Sequence, residues 1–210
     1  EGKIESGDEK KLNALKGETM AVIALCQFDL TRCFGYPYTK DKGASLGAPL
    51  IDHLVGTYEN PPRSTVAQAY DFIIETLEEA VTLMSEEKNN GRMNKYAARA
   101  LLARIYLYHD DNRKAFDLAD QLIKDADTSG SYALYPHEKY VAAWSVEAKF
   151  GSESFFEIAN SVDDTPGRDS WGYLLNWYGY QKGFVTQKYA EQMLADPGDV
   201  RGQLLEENKY

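Results

Sequence analysis

Between positions 171 and 184 the chain places Trp171, Tyr173, Trp177, Tyr178, Tyr180 and Phe184, with Asn176 and Gln181 among them and Arg168 and Asp169 just before. Trp and Tyr in an aperiodic, polar stretch suit one chemistry above others. Their flat faces can stack on the C–H face of a sugar ring while the indole N–H and phenol O–H stay hydrated. Such rings freeze few rotamers on binding, so the ordering cost is small. Asn176, Gln181, Asp169 and Arg168 carry the donors and acceptors that would orient a ligand rich in hydroxyls. The candidate ligand-binding residues are therefore Trp171, Tyr173, Trp177, Tyr178, Tyr180 and Asn176. A second reading stays open, in which these rings cover a core beneath an irregular loop or face a partner. Trp144 and Tyr140 are weaker candidates of the same kind. Tyr36, Tyr38, His53 and Tyr58, in the 35–62 segment, would form either a second rim or part of a solvated insertion.

Bond-breaking chemistry finds little support. Gly43-Ala44-Ser45-Leu46-Gly47 matches G-x-S-x-G formally, but a nucleophile elbow needs a strand before it and a helix after it. Residues 38–42 are polar and charged, and Ala48-Pro49 follows. His53, His109 and His137 lack metal-ligand spacing. Asp163, Asp164 and Asp169 share a loop without the alternating series of a calcium hand, so a solvated turn is expected. Glu153 and Glu157, four apart on an expected strand, would lie about 13 Å from each other. That exceeds the roughly 5–9.5 Å of a glycosidase pair. No P-loop and no dinucleotide fingerprint occur. No catalytic residue, metal or cofactor is expected.

The chain has 210 residues, 33 acidic and 23 basic, for a formal charge of −10. That balance excludes a polyanion such as nucleic acid as the natural ligand, because it demands a basic face. An anionic membrane surface is disfavoured for the same reason, whereas a neutral sugar meets no such barrier. No apolar run approaches the roughly 20 residues of a membrane-spanning helix. The first residues carry no initiating Met and no leader pattern, so the chain reads as a mature or truncated piece. Cys26 and Cys33, seven apart on one helix, are separated by about 10 Å. They read as small core residues without a disulfide between them.

The elements that must position these groups are mainly helical. Leu12, Leu15, Val22, Ile23, Cys26, Leu30 and Cys33 repeat at helical spacing over 9–33 and predict one buried face. Gly35 and Pro37 stop that helix, and 35–62 is a long connection. Thr65 with Gln68 forms a capping-box pattern before a helix whose core face is Val66, Tyr70, Ile73, Ile74, Leu77, Val81 and Met84. Asn94 caps a third helix to Tyr108, with Ala97, Leu101, Leu102 and Ile105 inward. A fourth, over 113–126, buries Ala115, Leu118, Ala119, Leu122 and Ile123. Helices three and four make a hairpin of tetratricopeptide type, with Ala103 and Ala115 at the close approach and Tyr106 at the aromatic position. The usual Trp and closing Pro of that repeat are absent. Beyond 127 we expect a short helix at 136–144, a short strand at 152–160, an aperiodic stretch at 161–184 and a last helix at 186–194.

Several segments together resemble the SusD/RagB family of surface nutrient-binding lipoproteins. KGETMAVIALCQFDLTRCFGYP (16–37) resembles its first repeat helix, although Gly35-Tyr36-Pro37 is one residue shorter than the usual spacing. RSTVAQAYDFIIETLEEAVTLM (63–84) and GRMNKYAARALLARIYLYHDDNRKAFDLADQLIK (91–124) resemble the repeats that follow. SESFFEIANS (152–161) and VTQKYAEQMLADPGDVRGQ (185–203) resemble later family segments. The resemblance implies a single, partial SusD-like domain over 1–210. It would be mainly α, with tetratricopeptide-like hairpins over 9–127, a 35–62 insertion, and an irregular, aromatic-rich ligand side over 128–210. It implies a non-catalytic glycan-binding component of polysaccharide uptake, lipid-anchored at the outer-membrane surface, with a SusC-like TonB-dependent transporter as partner. The alternative function is a helical-repeat adaptor that binds a protein or peptide.

Overall fold

A computed structural model describes residues 8–89, 91–144, 149–158, 160–161, 163–175, 179–180 and 183–205. The chain divides into two compact units, Glu1–Ala133 and Leu134–Tyr210.

The first unit is an array of four helices: α1 (Glu9–Phe34), α2 (Val66–Leu83), α3 (Lys95–Tyr108) and α4 (Asn112–Ser129). Local chemistry explains each start. Asp8 accepts the Lys10 N–H at the head of α1. Thr65 and Gln68 form the full capping box of α2, with bonds of 3.1 and 2.9 Å. Asn94 accepts the Ala97 N–H at 3.0 Å, and Asp111 accepts the Lys114 N–H at 3.3 Å. Each satisfies a donor that the first turn leaves orphaned. Helix α4 ends at Gly130, whose φ of 66° is the left-handed value that favours glycine.

Helix α1 buries a different face from the expected one. Gly17, Ala21, Ala24, Gln27, Phe28 and Thr31 are buried. Leu12, Leu15, Val22, Ile23 and Leu30 are 40–51% exposed, and Cys26 and Cys33 are exposed free thiols. Close helix approach accounts for the inversion. A Cβ on Gly17 would lie 2.7 Å from Met84 Cγ and 2.9 Å from the Ala80 carbonyl. Small side chains let α1 and α2 come together, and Phe28 fills the space beyond them. Facing them on α2 are Ala69, Ile73, Leu77 and Ala80, all buried. Ile74 and Val81, expected inward, are half-buried.

The α3–α4 hairpin forms as its sequence predicts. Ala103 and Ala115 are both buried at the close approach, and the buried Tyr106 donates its hydroxyl to the Glu78 carboxylate of α2. Ile123, expected in the core, is 66% exposed. The 35–62 connection is more ordered than its lack of period suggested. It carries a 3₁₀ turn at Tyr38–Lys40 and strand β1 (Leu46–Pro49), antiparallel to β2 (Arg63–Thr65). Arg63 ties this ribbon together by donating to the carbonyls of Gly47 at 2.7 Å, Leu46 at 2.9 Å and Phe34 at 3.3 Å.

The strand expected at 152–160 does not form among the described residues there. No strand pairs with it among the described residues, and its acids serve the loop instead. The Glu157 carboxylate accepts the N–H groups of Phe150 (2.7 Å) and Gly151 (3.1 Å), and Glu153 accepts that of Tyr135. The 136–144 helix is present as two 3₁₀ turns, His137–Lys139 and Ala142–Trp144. A one-turn helix, α5 (Trp171–Leu175), stands in the stretch expected to be aperiodic, and α6 (Gln187–Leu194) follows Thr186 as its cap. Among the described residues of the second unit only Gly202 is buried.

Candidate functional site

The aromatic stretch begins at α5. Ser170 caps it by accepting the Tyr173 N–H at 3.1 Å. Trp171, at its first position, is 78% exposed. Tyr173 is half-buried and Tyr180 is 48% exposed. Beyond α5 the chain folds back, so that the Tyr180 N–H donates to the Tyr173 carbonyl at 3.0 Å. The two phenol rings meet edge to face, with centroids 5.3 Å apart and planes at 78°. Gly179 makes this return possible, because a Cβ there would stand 1.7 Å from the Tyr173 carbonyl oxygen.

Residues two apart on a helix do not share a face. Trp171 and Tyr173 therefore present separate surfaces: an open indole on one side and the Tyr173–Tyr180 pair on the other. The exposed indole of Trp171 offers a broad face of the kind on which a sugar ring can stack. Asn176, Trp177 and Tyr178, with Gln181, lie outside the described residues. Arg168 and Asp169 are exposed on the turn before α5. Phe184 is 61% exposed.

The weaker candidates separate clearly. Trp144 is 66% exposed and meets Tyr140 at 6.1 Å in an edge arrangement. Tyr38 packs against Tyr70 (5.6 Å) and His109 (4.2 Å) in the helical unit, which makes it a packing residue. Tyr36 stacks under the Lys40 ammonium at 3.0 Å, and Tyr58 is 95% exposed. His53 lies between two carboxylates, with Nδ1 2.6 Å from Asp52 and Nε2 2.6 Å from Glu59. Those neighbours raise its pKa, Asp52 foremost and then Glu59. Glu59 is held low first by the Gly56 N–H and then by His53. From the sequence His53 belonged either to a second rim or to a solvated insertion. The signal for its clasp was an acid beside it and another six residues on.

No arrangement for bond cleavage appears among the described residues. Ser45 donates its hydroxyl to Asp41 and precedes a strand, so it is not a nucleophile elbow. Glu153 and Glu157 bind backbone amides. His137 sits 2.9 Å from the Gly198 carbonyl. Asp199 is drawn down to about 2, chiefly by its hydrogen bond from Arg201. Among the described residues no three His, Cys, Asp or Glu side chains converge as a metal site.

A helical-repeat array that hands the chain on to an irregular, aromatic-bearing unit defines a class of binding scaffold, and the comparisons give that class a name. The profile of a SusD-like family, described as starch-binding and associating with the outer membrane, matches residues 3–107. The chain belongs to that family. A candidate sugar-binding protein of Bacteroides vulgatus is 40% identical, with a TM-score of 0.86 over 97% of this chain and 46% of its own. A SusD-superfamily protein of Bacteroides thetaiotaomicron is 35% identical, with a TM-score of 0.85 over 100% of this chain and 46% of its own. The chain thus spans about half the length of these relatives. A laminarin-binding SusD-like protein, at 24% identity and a TM-score of 0.58 over 81% of this chain and 35% of its own, shares the fold. No curated protein matches the chain.

Proposed function

We propose that this chain is part of a non-catalytic, surface-exposed glycan-binding component of a TonB-dependent nutrient-uptake system. It holds oligosaccharide or polysaccharide by ring stacking and hydroxyl hydrogen bonds, and presents it to a SusC-like outer-membrane transporter. In the whole protein a lipid anchor tethers it at the cell surface, and both compact units belong to one ligand-binding domain. Trp171, Tyr173, Trp177, Tyr178, Tyr180 and Asn176 contact the sugar.

One observation carries this reading. In a chain of a family described as starch-binding, Trp171 stands 78% exposed beside the Tyr173–Tyr180 pair. An exposed indole offers a broad flat face that can stack on the C–H face of a sugar while its N–H stays hydrated. The formal charge of −10 suits a neutral ligand. Engagement of Glu153 and Glu157 by backbone amides supports capture without cleavage.

The test is retardation in native gels cast with soluble starch, laminarin and other neutral polysaccharides, with Trp171→Ala and Trp177→Ala alongside. Retardation by one glycan that either variant weakens is expected. Peptide capture by the helical array, with no retardation by any glycan, would favour the adaptor function instead.

A further inference from the structure

The 35–62 connection is held at two fixed points. On its way in, Gln27 of α1 donates to the Pro49 carbonyl at 3.1 Å and accepts the Ile51 N–H at 3.3 Å. On its way out, Arg63 binds the carbonyls of Phe34, Leu46 and Gly47. Between these anchors residues 52–60 have little core beneath them. Val55 is half-buried and the others are exposed, Leu54 at 97% and Tyr58 at 95%. Packing therefore contributes little to the order of this tip, and its shape depends on polar contacts.

Among the described residues, the hydrogen bonds within the tip all involve His53 or Glu59. The imidazole Nδ1 lies 2.6 Å from Asp52, and Nε2 lies 2.6 Å from Glu59. Glu59 Oε2 accepts the Gly56 N–H at 3.0 Å, and the Glu59 N–H donates to the Gly56 carbonyl at 3.0 Å. An imidazolium carries a proton on each nitrogen, so it can donate to both carboxylates at once. A neutral ring donates from one nitrogen only. The other nitrogen then turns a lone pair toward a carboxylate oxygen, and that contact must open. The two contacts do not compete equally. Asp52 adjoins His53 in the chain, so their bond orders little else. The bond to Glu59 closes a loop over residues 54–58 and works against its closure entropy. The neutral ring therefore keeps Asp52 and releases Glu59.

We propose that His53 is a proton-operated latch: as an imidazolium it ties Glu59 and fixes the 53–59 tip, and on losing its proton it lets the tip loosen while the helical unit stays intact. This inference does not depend on glycan binding.

Asp52 and Glu59 are the charged groups that act on the ring among the described residues. They raise its pKa above the ordinary 6.5, Asp52 foremost, and their own values are lowered. Both carboxylates thus stay ionised in mildly acidic water, where the ring holds its proton. The latch is closed there and opens as pH rises through the folded value of the ring.

Backbone amide NMR relaxation over residues 54–58, recorded alongside the titration of the His53 ring, reads the latch. Order parameters should be about 0.8 at about pH 5.5 and fall below about 0.6 at about pH 9, in step with the ring. Those of α1 and α2 should stay constant. In His53→Gln, which has no titrating ring, residues 54–58 should show the same order at both ends of that range. Order parameters that stay constant while the ring titrates overturn the proposal. So does a loss of order with rising pH that persists in His53→Gln, because another group would then be the latch.

Discussion

Phe28→Ala and Ile23→Ala test which face of α1 holds the fold. Phe28 is 1% exposed, and its ring meets Tyr70 at 6.2 Å and Tyr108 at 5.4 Å, both edge to face. The Arg32 guanidinium lies 5.0 Å from the same ring. Truncation removes a full aromatic side chain from water-free packing and leaves a cavity between α1 and α2, which costs about 3–5 kcal/mol. For a chain of this size that corresponds to a Tm lower by roughly 6–20 °C. Ile23 is larger than any alanine on the inner face, yet it is 42% exposed. Its truncation should cost about 1 kcal/mol or less, as surface substitutions do. Urea unfolding followed by circular dichroism at 222 nm measures both. A loss below about 1 kcal/mol for Phe28→Ala together with a larger one for Ile23→Ala would refute the packing of α1 through its small-residue face.

Three further outcomes rest on named contacts. Asn94→Ala removes the α3 cap and the 2.7 Å bond to the Tyr132 hydroxyl. It should cost about 2–3 kcal/mol in urea unfolding, and Asn94→Asp, which keeps the cap, should cost less. The His53 clasp needs an imidazolium, because a neutral ring cannot donate from both nitrogens. Its pKa, raised above the ordinary 6.5, means the clasp contributes fully below that pH and is lost as pH rises through the higher folded value. Asp52 and Glu59 have lowered pKa values, so their share is lost only as pH falls through those values. An NMR titration of the His53 ring with a midpoint at or below 6.5 would contradict this. Gly179→Ala would drive a methyl into the Tyr173 carbonyl. It should separate the Tyr173–Tyr180 pair and alter the near-ultraviolet circular dichroism, while the helical signal stays constant.

The parts of the fold legible in the sequence were those set by local chemistry. The Thr65–Gln68 box, the Asn94 cap and the Ala103–Ala115 approach depend on residues close in sequence or on repeat spacing, and all three are present. The inner face of α1 was not legible, because hydrophobic periodicity counts large side chains. Here the contact is made by Gly17, Ala21 and Ala24, whose merit is their small size. The stripe of Leu, Ile and Val was real, but it faces outward in this chain. The strand at 152–160 failed because a strand needs a partner at hydrogen-bonding distance, and alternation within one segment carries no information about one. The β1–β2 ribbon escaped notice for the converse reason. Two short segments of 4 and 3 residues, well separated along the chain, show no period of their own. Within the candidate site, the exposed Trp171 was legible from composition. The return of the chain at Gly179, which pairs Tyr173 with Tyr180, depends on a backbone contact that no spacing rule encodes.

The central claim is that this chain holds a glycan through its exposed rings. Isothermal titration with the oligosaccharide of whichever glycan retards the chain in native gels, on the parent and on Trp171→Ala, tests it most directly. Loss of one stacking ring should weaken binding by about tenfold, or about 1.4 kcal/mol, with the melting temperature of the protein unchanged. A variant that binds as tightly as the parent, or a parent that binds no glycan at all, would contradict the account.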